Sequence, residues 1–270
     1  MRLLATILAL GVLMSCSSGP SGPEKGTPAF YWQAAKETFA AGDNMKCLEH
    51  LDRLLTPENE YFAKALPWSL VASGGLALGY ADLADNYEKG ARANKTDPTW
   101  FRRRVSEYRT QAKQLSLQFA DRFAKFGQLK GDTVALAFGY PKGSAAVTAQ
   151  LTRMAGGIAL PQADVDLALA QTLQRNVLME ACRAAGAPED TAKGESVLKD
   201  PEAKVPRATF LMAMAQNLYD LSQIYTPMKA DDPEKMKIFC ERAEGALKPV
   251  PESKDTKALS AKIQKVLKKK

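Results

Sequence analysis

The sequence predicts an all-α protein in which antiparallel helix pairs stack on one another, and three observations lead to that prediction. Apolar residues recur every three or four positions through most of the 270 residues, which is the spacing of one helix face. Glycine and proline interrupt these apolar stripes at intervals that mark helix ends. Runs rich in Val, Ile and Thr with alternating polarity are missing from the sequence, so we expect no strand.

The N-terminus has the layout of a bacterial signal peptide. Arg2 provides a positive start, and residues 3–14 form an apolar run that is too short to span a membrane as a stable helix. Residues 13–16, Leu-Met-Ser-Cys, resemble the lipobox of bacterial lipoproteins. The resemblance implies that residues 1–15 are cleaved as the signal peptide and that lipid is attached to the Cys16 thiol.

The segment that follows is expected to separate the lipid from a folded body. Residues 16–28 are rich in Ser, Gly and Pro and cannot bury apolar surface, which predicts a flexible tether. Ser17 stands where lipoproteins retained in the inner membrane of enteric bacteria carry Asp. By resemblance to that sorting pattern, we expect a cell-envelope protein anchored in the outer membrane and facing the periplasm. A helical-repeat domain is expected over residues 29–247 and a basic C-terminal helix over residues 248–270.

The net charge does not indicate a nucleic-acid-binding face. The chain carries a net charge of +7 at pH 7, from 37 Lys and Arg against 30 Asp and Glu. Residues 248–270 contain eight lysines and two acidic residues, a local charge of +6. The body of the protein is therefore close to neutral, so we expect no nucleic-acid partner.

The first helix pair is expected at residues 29–41 and 45–55, with a Gly-Asp turn between them. Small residues where the helices cross, a large residue beside them, the Gly-Asp turn and a closing Pro resemble a tetratricopeptide repeat. The positions that carry this resemblance are Tyr31 or Trp32, Ala34, Ala35, Gly42, Asp43, Cys47, Leu51, Leu54 and Pro57. The resemblance implies an irregular tetratricopeptide-like superhelix whose concave face binds peptides or proteins.

A second helix pair is expected over residues 60–94. Its first helix begins near Pro67 and contains a run of small residues, and its second helix covers residues 81–93. Gly75 and Gly79 have the spacing of a membrane dimerisation motif, but the apolar run around them is only about thirteen residues long. We therefore expect them to mediate close packing between helices of the folded body.

The most regular helix is expected to start at Asp97-Pro98 and to end at Gly127. An apolar stripe runs along one face, and the other face is basic. Its cations are Arg102, Arg103, Arg104, Arg109, Lys113, Arg122 and Lys125. Two interpretations stay open: a solvated face, or a surface for an anionic ligand or acidic partner with Arg102, Arg103 and Arg104 at its entrance.

The C-terminal half is expected to be helical with one short ambiguous region. Residues 133–138 are expected as a short helix followed by a loop, and residues 189–200 as a loop or single turn. Longer helices are expected over residues 144–154, 161–185, 206–225 and 233–247. The last helix, residues 253–270, is either a polar cap of the helical stack or a membrane-surface helix.

Tryptophan and cysteine side chains are the remaining candidates for special roles. Trp32, Trp68 and Trp100 each lie near an expected helix start. They either pack between helices or act as aromatic anchors that flank a binding groove. Besides Cys16, three cysteines remain, so at most one disulfide can form within a chain. Their apolar positions favour buried, unpaired thiols, with one disulfide as the alternative; they are Cys47, Cys182 and Cys240.

No motif in the sequence indicates catalysis. Histidine occurs once, at His50, so one chain cannot form a histidine triad or a multi-histidine metal site. The sequence lacks the Gly-x-Ser-x-Gly elbow, the phosphate-binding loop and the dinucleotide-binding fingerprint. We therefore expect neither an enzyme nor a bound cofactor or metal.

Two functions follow as expectations. The first is a lipid-anchored envelope protein that binds a protein or peptide partner through its helical-repeat surface. The alternative is a ligand-binding or accessory component of a periplasmic transport system. The layout is similar to the T-component lipoproteins associated with tripartite periplasmic transporters, best over residues 101–117. That similarity implies helices around a central pore and pairing with a periplasmic solute-binding protein; the oligomeric state stays open.

Overall fold

The computed structural model describes residues 22–268, and within that range the all-α prediction is confirmed. Ten α-helices are joined by short connections, with one 3-10 turn and two strands of three residues each. Cys16, the expected signal peptide and residues 16–21 of the expected tether lie outside the described residues. Among the described helices, none combines the length and the apolar character needed to cross a membrane.

The elements follow one another with few long connections. In chain order they are α1 (Pro28–Ala41), α2 (Asn44–Asp52), α3 (Phe62–Ala93), α4 (Pro98–Phe126), β1 (Thr133–Ala135), α5 (Ala149–Ala155), α6 (Gln162–Ala184), α7 (Thr191–Leu198), β2 (Lys204–Pro206), α8 (Arg207–Ser222), a 3-10 turn (Gln223–Tyr225), α9 (Pro233–Leu247) and α10 (Lys254–Leu267).

The first helix pair forms as predicted. Thr27 caps α1, and its side-chain oxygen accepts a hydrogen bond from the Phe30 N–H. Gly42 ends the helix with φ of 84°, a left-handed conformation that glycine adopts without steric cost. Asp43 then caps α2 by accepting from the Lys46 N–H. The Gly-Asp turn therefore both ends one helix and starts the next.

The second expected pair is instead one continuous helix, α3, so that prediction is wrong. Its glycines do not break the helix, because they are the points at which α6 approaches it. A Cβ added at Gly75 would lie 2.6 Å from the Val177 Cα, and one added at Gly79 would lie 2.9 Å from the Leu173 side chain. Pro67 lies in the second turn of the same helix.

Helix α3 is the centre of the described structure. Nineteen of its 32 residues are buried, since α4 packs along one side and α6 along another. Helix α2 contacts it as well, with Asn44 and Met45 near Leu76 and Tyr80 in the middle of α3, and α8 and α5 also touch it. Paired packing also occurs between α1 and α2, between α8 and α9 and between α9 and α10. The winding of these pairs into one superhelix stays a prediction.

Two short strands correct the expectation of a strand-free chain. Residues 133–138 do not form the expected helix, because β1 pairs antiparallel with β2 and places Val134 opposite Val205. Both valines are buried. The pairing continues where the Leu136 N–H donates to the Ala203 carbonyl at 2.7 Å. Burial of these β-branched side chains against the helices favours the extended conformation.

Two other boundaries differ from the predictions for a local reason. Helix α5 begins at Ala149 because Thr148 caps it, accepting from the Leu151 N–H, whereas Ser144 accepts from Ala146 within a turn before the helix. The region expected as a loop or single turn contains the eight-residue helix α7, which Asp190 caps. In both regions the structure uses a polar cap residue that the sequence analysis did not select.

The C-terminal helix packs on the body through its apolar face. Leu259 and Ile263 of α10 are buried against the preceding helices, and α10 contacts α9 and α8. Its lysines are exposed, among them Lys257 and Lys265. Because the body already covers the apolar face that a membrane-surface helix inserts into lipid, the packing favours the interpretation as a cap.

The three described cysteines are buried and unpaired, as the favoured interpretation predicted. Burial raises the pKa of Cys182 to about 11. Burial also raises the pKa of Cys47 and of Cys240. Since the thiolate is the reactive form, these side chains behave as small apolar residues at neutral pH.

Candidate functional site

The three tryptophans do not surround a common groove. Trp32 and Trp68 lie on either side of Phe138, with ring centroids 5.0 and 4.9 Å from it, and Trp68 is only 1% exposed. Trp100 belongs to a different cluster, where it packs at 4.8 Å against Phe101. Trp100 also packs at 5.5 Å against Tyr87 of α3. All three tryptophans therefore take part in internal packing, and a binding role for them stays a prediction.

The C-terminal part of the basic face of α4 holds the helices together. The guanidinium of Arg122 binds Asp52 of α2 at 2.7 Å, and its side chain is 7% exposed. Lys125 donates to the Leu55 carbonyl at 3.4 Å. These two cations therefore face the body of the protein and have partners within it.

The three consecutive arginines at the beginning of α4 point to different surroundings. Arg104 pairs with Glu107 at 3.3 Å and donates to the Gln162 side chain of α6 at 3.2 Å. Arg103 is exposed and forms no ion pair with any residue from 22 to 268. Arg102 lines a cavity that is open to solvent. Of the three arginines predicted at the entrance of a binding surface, only Arg102 therefore lines the cavity.

That cavity, which we call the basic groove, has a volume of about 820 Å³. It lies between the C-terminal end of α3, the N-terminal half of α4 and the loop of residues 226–232. Its lining includes six cationic side chains, namely Arg92, Lys95, Arg102, Arg109, Lys113 and Lys229. Glu88 is the one acidic residue among the lining residues, which leaves a net charge of +5.

Helical spacing explains why α4 contributes a row of cations. Arg102, Arg109 and Lys113 follow one another at steps of seven and four residues, which places them on one face. The neighbouring apolar residues of α4 are buried against α3. Gly90 allows this close approach, since a Cβ there would lie 2.7 Å from the Phe101 ring.

Only part of the positive charge in the basic groove is compensated within the described chain. Glu88 accepts from Arg92 at 2.6 Å and also from Arg109. Lys229 pairs with Asp85 at 2.7 Å, on the side of α3. Residues 22–268 offer no carboxylate within ion-pair distance of the other three cations, Lys95, Arg102 and Lys113. The pairing with Lys235 at 2.6 Å lowers the pKa of the Asp232 carboxyl, and the charge of Lys113 contributes to that lowering.

Arg109 also has a donor that is not used. Its Nη2 donates to the Met228 carbonyl at 3.4 Å, which ties the loop of residues 226–232 to α4. Its Nε is buried and has no acceptor within the described residues. A buried donor without an acceptor costs free energy.

A second cavity, of about 960 Å³, lies between the end of α6, the start of α7, α8 and α10. Beneath it is a buried network that the sequence analysis missed. Arg183 binds Glu180 at 2.7 Å and Asp220 at 3.1 Å, and Asn217 donates to Glu180 at 2.6 Å. Burial raises the pKa of the Glu180 carboxyl, and Arg183 partly opposes that rise.

The lining of this second cavity has no single sign of charge. Three cations, Arg183, Lys193 and Lys262, face three acidic residues, and Arg183 is already engaged by the network. The network joins α6 to α8 through paired charges, which gives it a structural role, although the Oδ1 of Asn217 is buried without a partner among the described residues. The basic groove is therefore the candidate functional site.

Only α4 contributed to the sequence-based prediction of the groove. The contribution of Arg92, Lys95 and Lys229 was not predicted, because these residues come from the end of α3, from the connection to α4 and from a loop about 100 positions after the end of α4. Comparisons with protein-family models, with curated proteins and with solved structures found no match to this chain. The geometry and charge of the basic groove therefore carry the functional interpretation.

Proposed function

We propose that this chain is a lipid-anchored protein of the bacterial cell envelope that binds a protein partner in the basic groove. The observation that carries the proposal is the excess of cations there, six against one carboxylate. Three of these cations have no carboxylate partner among residues 22–268. Clustered positive charge raises the local concentration of anionic partners and speeds their association.

Comparison along α4 supports a binding role for the groove cations. Arg122 and Arg104 have partners on α2 and α6, so their charges contribute to packing. Arg102 and Lys113 make no such contact, yet they lie beside other cations, where like charges repel. An arrangement that does not stabilise the fold is favoured where it stabilises a complex.

The proposed membrane localisation rests on the sequence pattern. The lipobox-like residues 13–16 and the tether over residues 16–28 support attachment at Cys16, and Ser17 supports the outer membrane. A folded body on a flexible tether searches the periplasm close to the membrane while it stays bound to lipid. We propose a binding function rather than catalysis because no motif in the sequence indicates catalysis, whereas the basic groove offers charge for a partner.

The test combines membrane fractionation with site-specific crosslinking in cells. Cys16→Ser should move the protein from the membrane to the soluble fraction; retention of this variant on membranes without detergent contradicts the anchor. A photo-crosslinking residue in place of Ser106, inside the groove, should trap an envelope protein. The same residue in place of Arg103, one turn away and outside the groove, should not.

A charge-reversal variant tests whether the crosslink depends on the cations of the groove. The variant Arg102→Glu with Lys113→Glu should abolish the adduct formed from position 106. Equal adducts from positions 103 and 106, or an adduct that survives charge reversal, would remove the support for a groove-dependent partner.

The transport alternative shares the membrane address and differs in the occupant of the groove. A pore like that of the T-component lipoproteins needs space between helices. Where α3 crosses α6, Gly75 lies against the Val177 backbone and no such space is present. The crossing therefore favours the partner-binding function. Competition by small anions for the groove distinguishes the two functions.

A further inference from the structure

We infer that the basic groove binds an extended acidic segment of a partner protein, with acidic residues at both ends of about seven residues; this inference rests on the proposed function. Three observations carry it: the length over which the cations are spread, the position of the single carboxylate and the absence of aromatic residues from the lining.

The length of the groove distinguishes a segment of chain from a small anion. Its lining on α4 runs from Pro98 to Lys113, fifteen residues later. At about 1.5 Å of rise per residue, this distance is about 22 Å. A phosphate or a small carboxylate reaches only one or two neighbouring cations over such a distance. An extended peptide, at about 3.3 Å per residue, covers it with about seven residues.

The charge pattern within the groove determines where the partner's acidic residues belong. Glu88 lies between Arg92 and Arg109 and uses the charge of both. A second carboxylate placed there meets Glu88, and like charges at close range repel. Arg102 and Lys113, without carboxylate partners, are eleven residues apart on α4, which corresponds to about 16 Å.

An extended peptide spans that distance with about four to six residues. The best ligand therefore has acidic residues at its two ends and neutral residues in the middle. The polar groups of Ser106 and Thr110 line the middle of the groove and are available to the peptide backbone. Ala91 and Val105 provide small apolar contacts for short side chains.

The lining argues against a nucleic-acid strand as the occupant. Single-stranded nucleic acid is bound by positive grooves that also contain aromatic side chains, on which the bases stack. None of the residues that line the basic groove is aromatic. A peptide needs only the charges and the hydrogen-bonding groups that are present.

The test measures binding of a labelled peptide to the full mature chain by fluorescence anisotropy. The probe has seven residues, two glutamates at each end and three neutral residues between them. We expect saturable binding that weakens between 0.05 and 0.3 M salt, because added salt screens exposed charges beyond a Debye length of about 8 Å at physiological ionic strength.

A matched pair of double variants locates the site. Arg102→Glu with Lys113→Glu should weaken binding at least about tenfold, since two attractive contacts become repulsive. The control is Arg103→Glu with Lys89→Glu, which makes the same charge change at exposed positions of α4 and α3 outside the groove lining. The control should weaken binding less than about twofold, the effect of long-range charge alone. Equal losses in the two variants would overturn the inference.

Competitors decide the class of ligand. A peptide of the same composition with its four glutamates in the middle should bind about fivefold more weakly, because of Glu88. Displacement of the probe by phosphate or citrate at the same concentration as the unlabelled peptide contradicts an extended ligand and favours the transport alternative. Tighter binding of a single-stranded oligonucleotide than of the peptide overturns the inference in favour of a nucleic acid.

The two proposals fail in different ways. If the peptide does not bind while the groove-dependent crosslink at position 106 forms, the partner function stands and the acidic-segment inference is wrong. If the peptide binds with the expected pattern while no crosslink forms in cells, the groove has the inferred chemistry and the partner function is wrong.

Discussion

The close crossing of α3 and α6 predicts that Gly75→Ala destabilises the protein although alanine favours helix. An added Cβ would lie 2.6 Å from the Val177 Cα, 2.9 Å from the Val177 nitrogen and 3.0 Å from the Asn176 carbonyl oxygen. All three are backbone atoms, so no side-chain rotation relieves the contact. Restoring an ordinary contact of 3.4 Å requires the two helices to separate by roughly 0.8 Å.

The magnitude follows from two opposing effects. Overpacking of a well-packed core costs about 1–3 kcal/mol, and a clash with backbone belongs at the upper end of that range. Replacing a helical glycine by alanine returns about 1 kcal/mol through helix propensity. We therefore expect a net loss of about 2 kcal/mol in the free energy of unfolding, which lowers the melting temperature by about 4–8 °C for a chain of this size.

The assay is urea unfolding followed by circular dichroism, with Gly245→Ala as the matched control. Gly245 is also in a helix, α9, and an added Cβ there meets no atom within 4 Å. The control should therefore be stabilised by up to about 1 kcal/mol, since helix propensity acts there without a clash. A Gly75→Ala protein as stable as the wild type, beside a stabilised control, would show that the two helices do not meet at this point.

Other variants test the polar contacts. Arg122→Ala should lower the free energy of unfolding by about 1–2 kcal/mol in the same assay, because it removes packed methylene groups and a bidentate ion pair. The loss is modest because the acidic partner, Asp52, is 44% exposed. An unchanged free energy of unfolding contradicts this role of Arg122. Burial raises the folded-state pKa of Glu180 above its unfolded value of 4.5, so its contribution to stability is greatest below that pH and is lost as the pH rises through the folded pKa. Glu180→Gln should therefore reduce the gain in stability between pH 8 and pH 5, as measured by urea midpoints. An unchanged gain refutes the assignment. The three buried thiols should react with a disulfide reagent at pH 8 only after unfolding, and rapid reaction of the folded protein contradicts their burial.

Local signals made some elements predictable from the sequence. Helix α4 has an unbroken apolar stripe and begins at Asp97-Pro98. Each of these signals depends only on residues that are close together in the sequence. Helices α1 and α9 likewise have local caps, Thr27 and Asp232. These boundaries depend on nearest neighbours along the chain, so a single sequence is sufficient.

Other elements depend on partners that are distant in the sequence. The glycines of α3 have the pattern of a break, and only the presence of α6 a hundred residues later makes them contact points. Strand β1 is stable because β2 pairs with it seventy residues later. The same reason limited the prediction of the candidate site. Arg122 points inward because it pairs with Asp52, and Lys229 reaches the groove from a loop that is distant in the sequence.

The unbroken course of α3 has a mechanical consequence for an anchored protein. Its 32 residues form a rod of about 48 Å, with the Phe39 ring of α1 against Trp68 in its second turn and the basic groove at its last turns. In the proposed lipid-anchored form, the tether joins the body at α1, so α3 would set the distance between the attached end of the body and the basic groove. If the proposed anchor is present, shortening the tether should bring the body closer to the membrane surface without changing the distance between α1 and the basic groove.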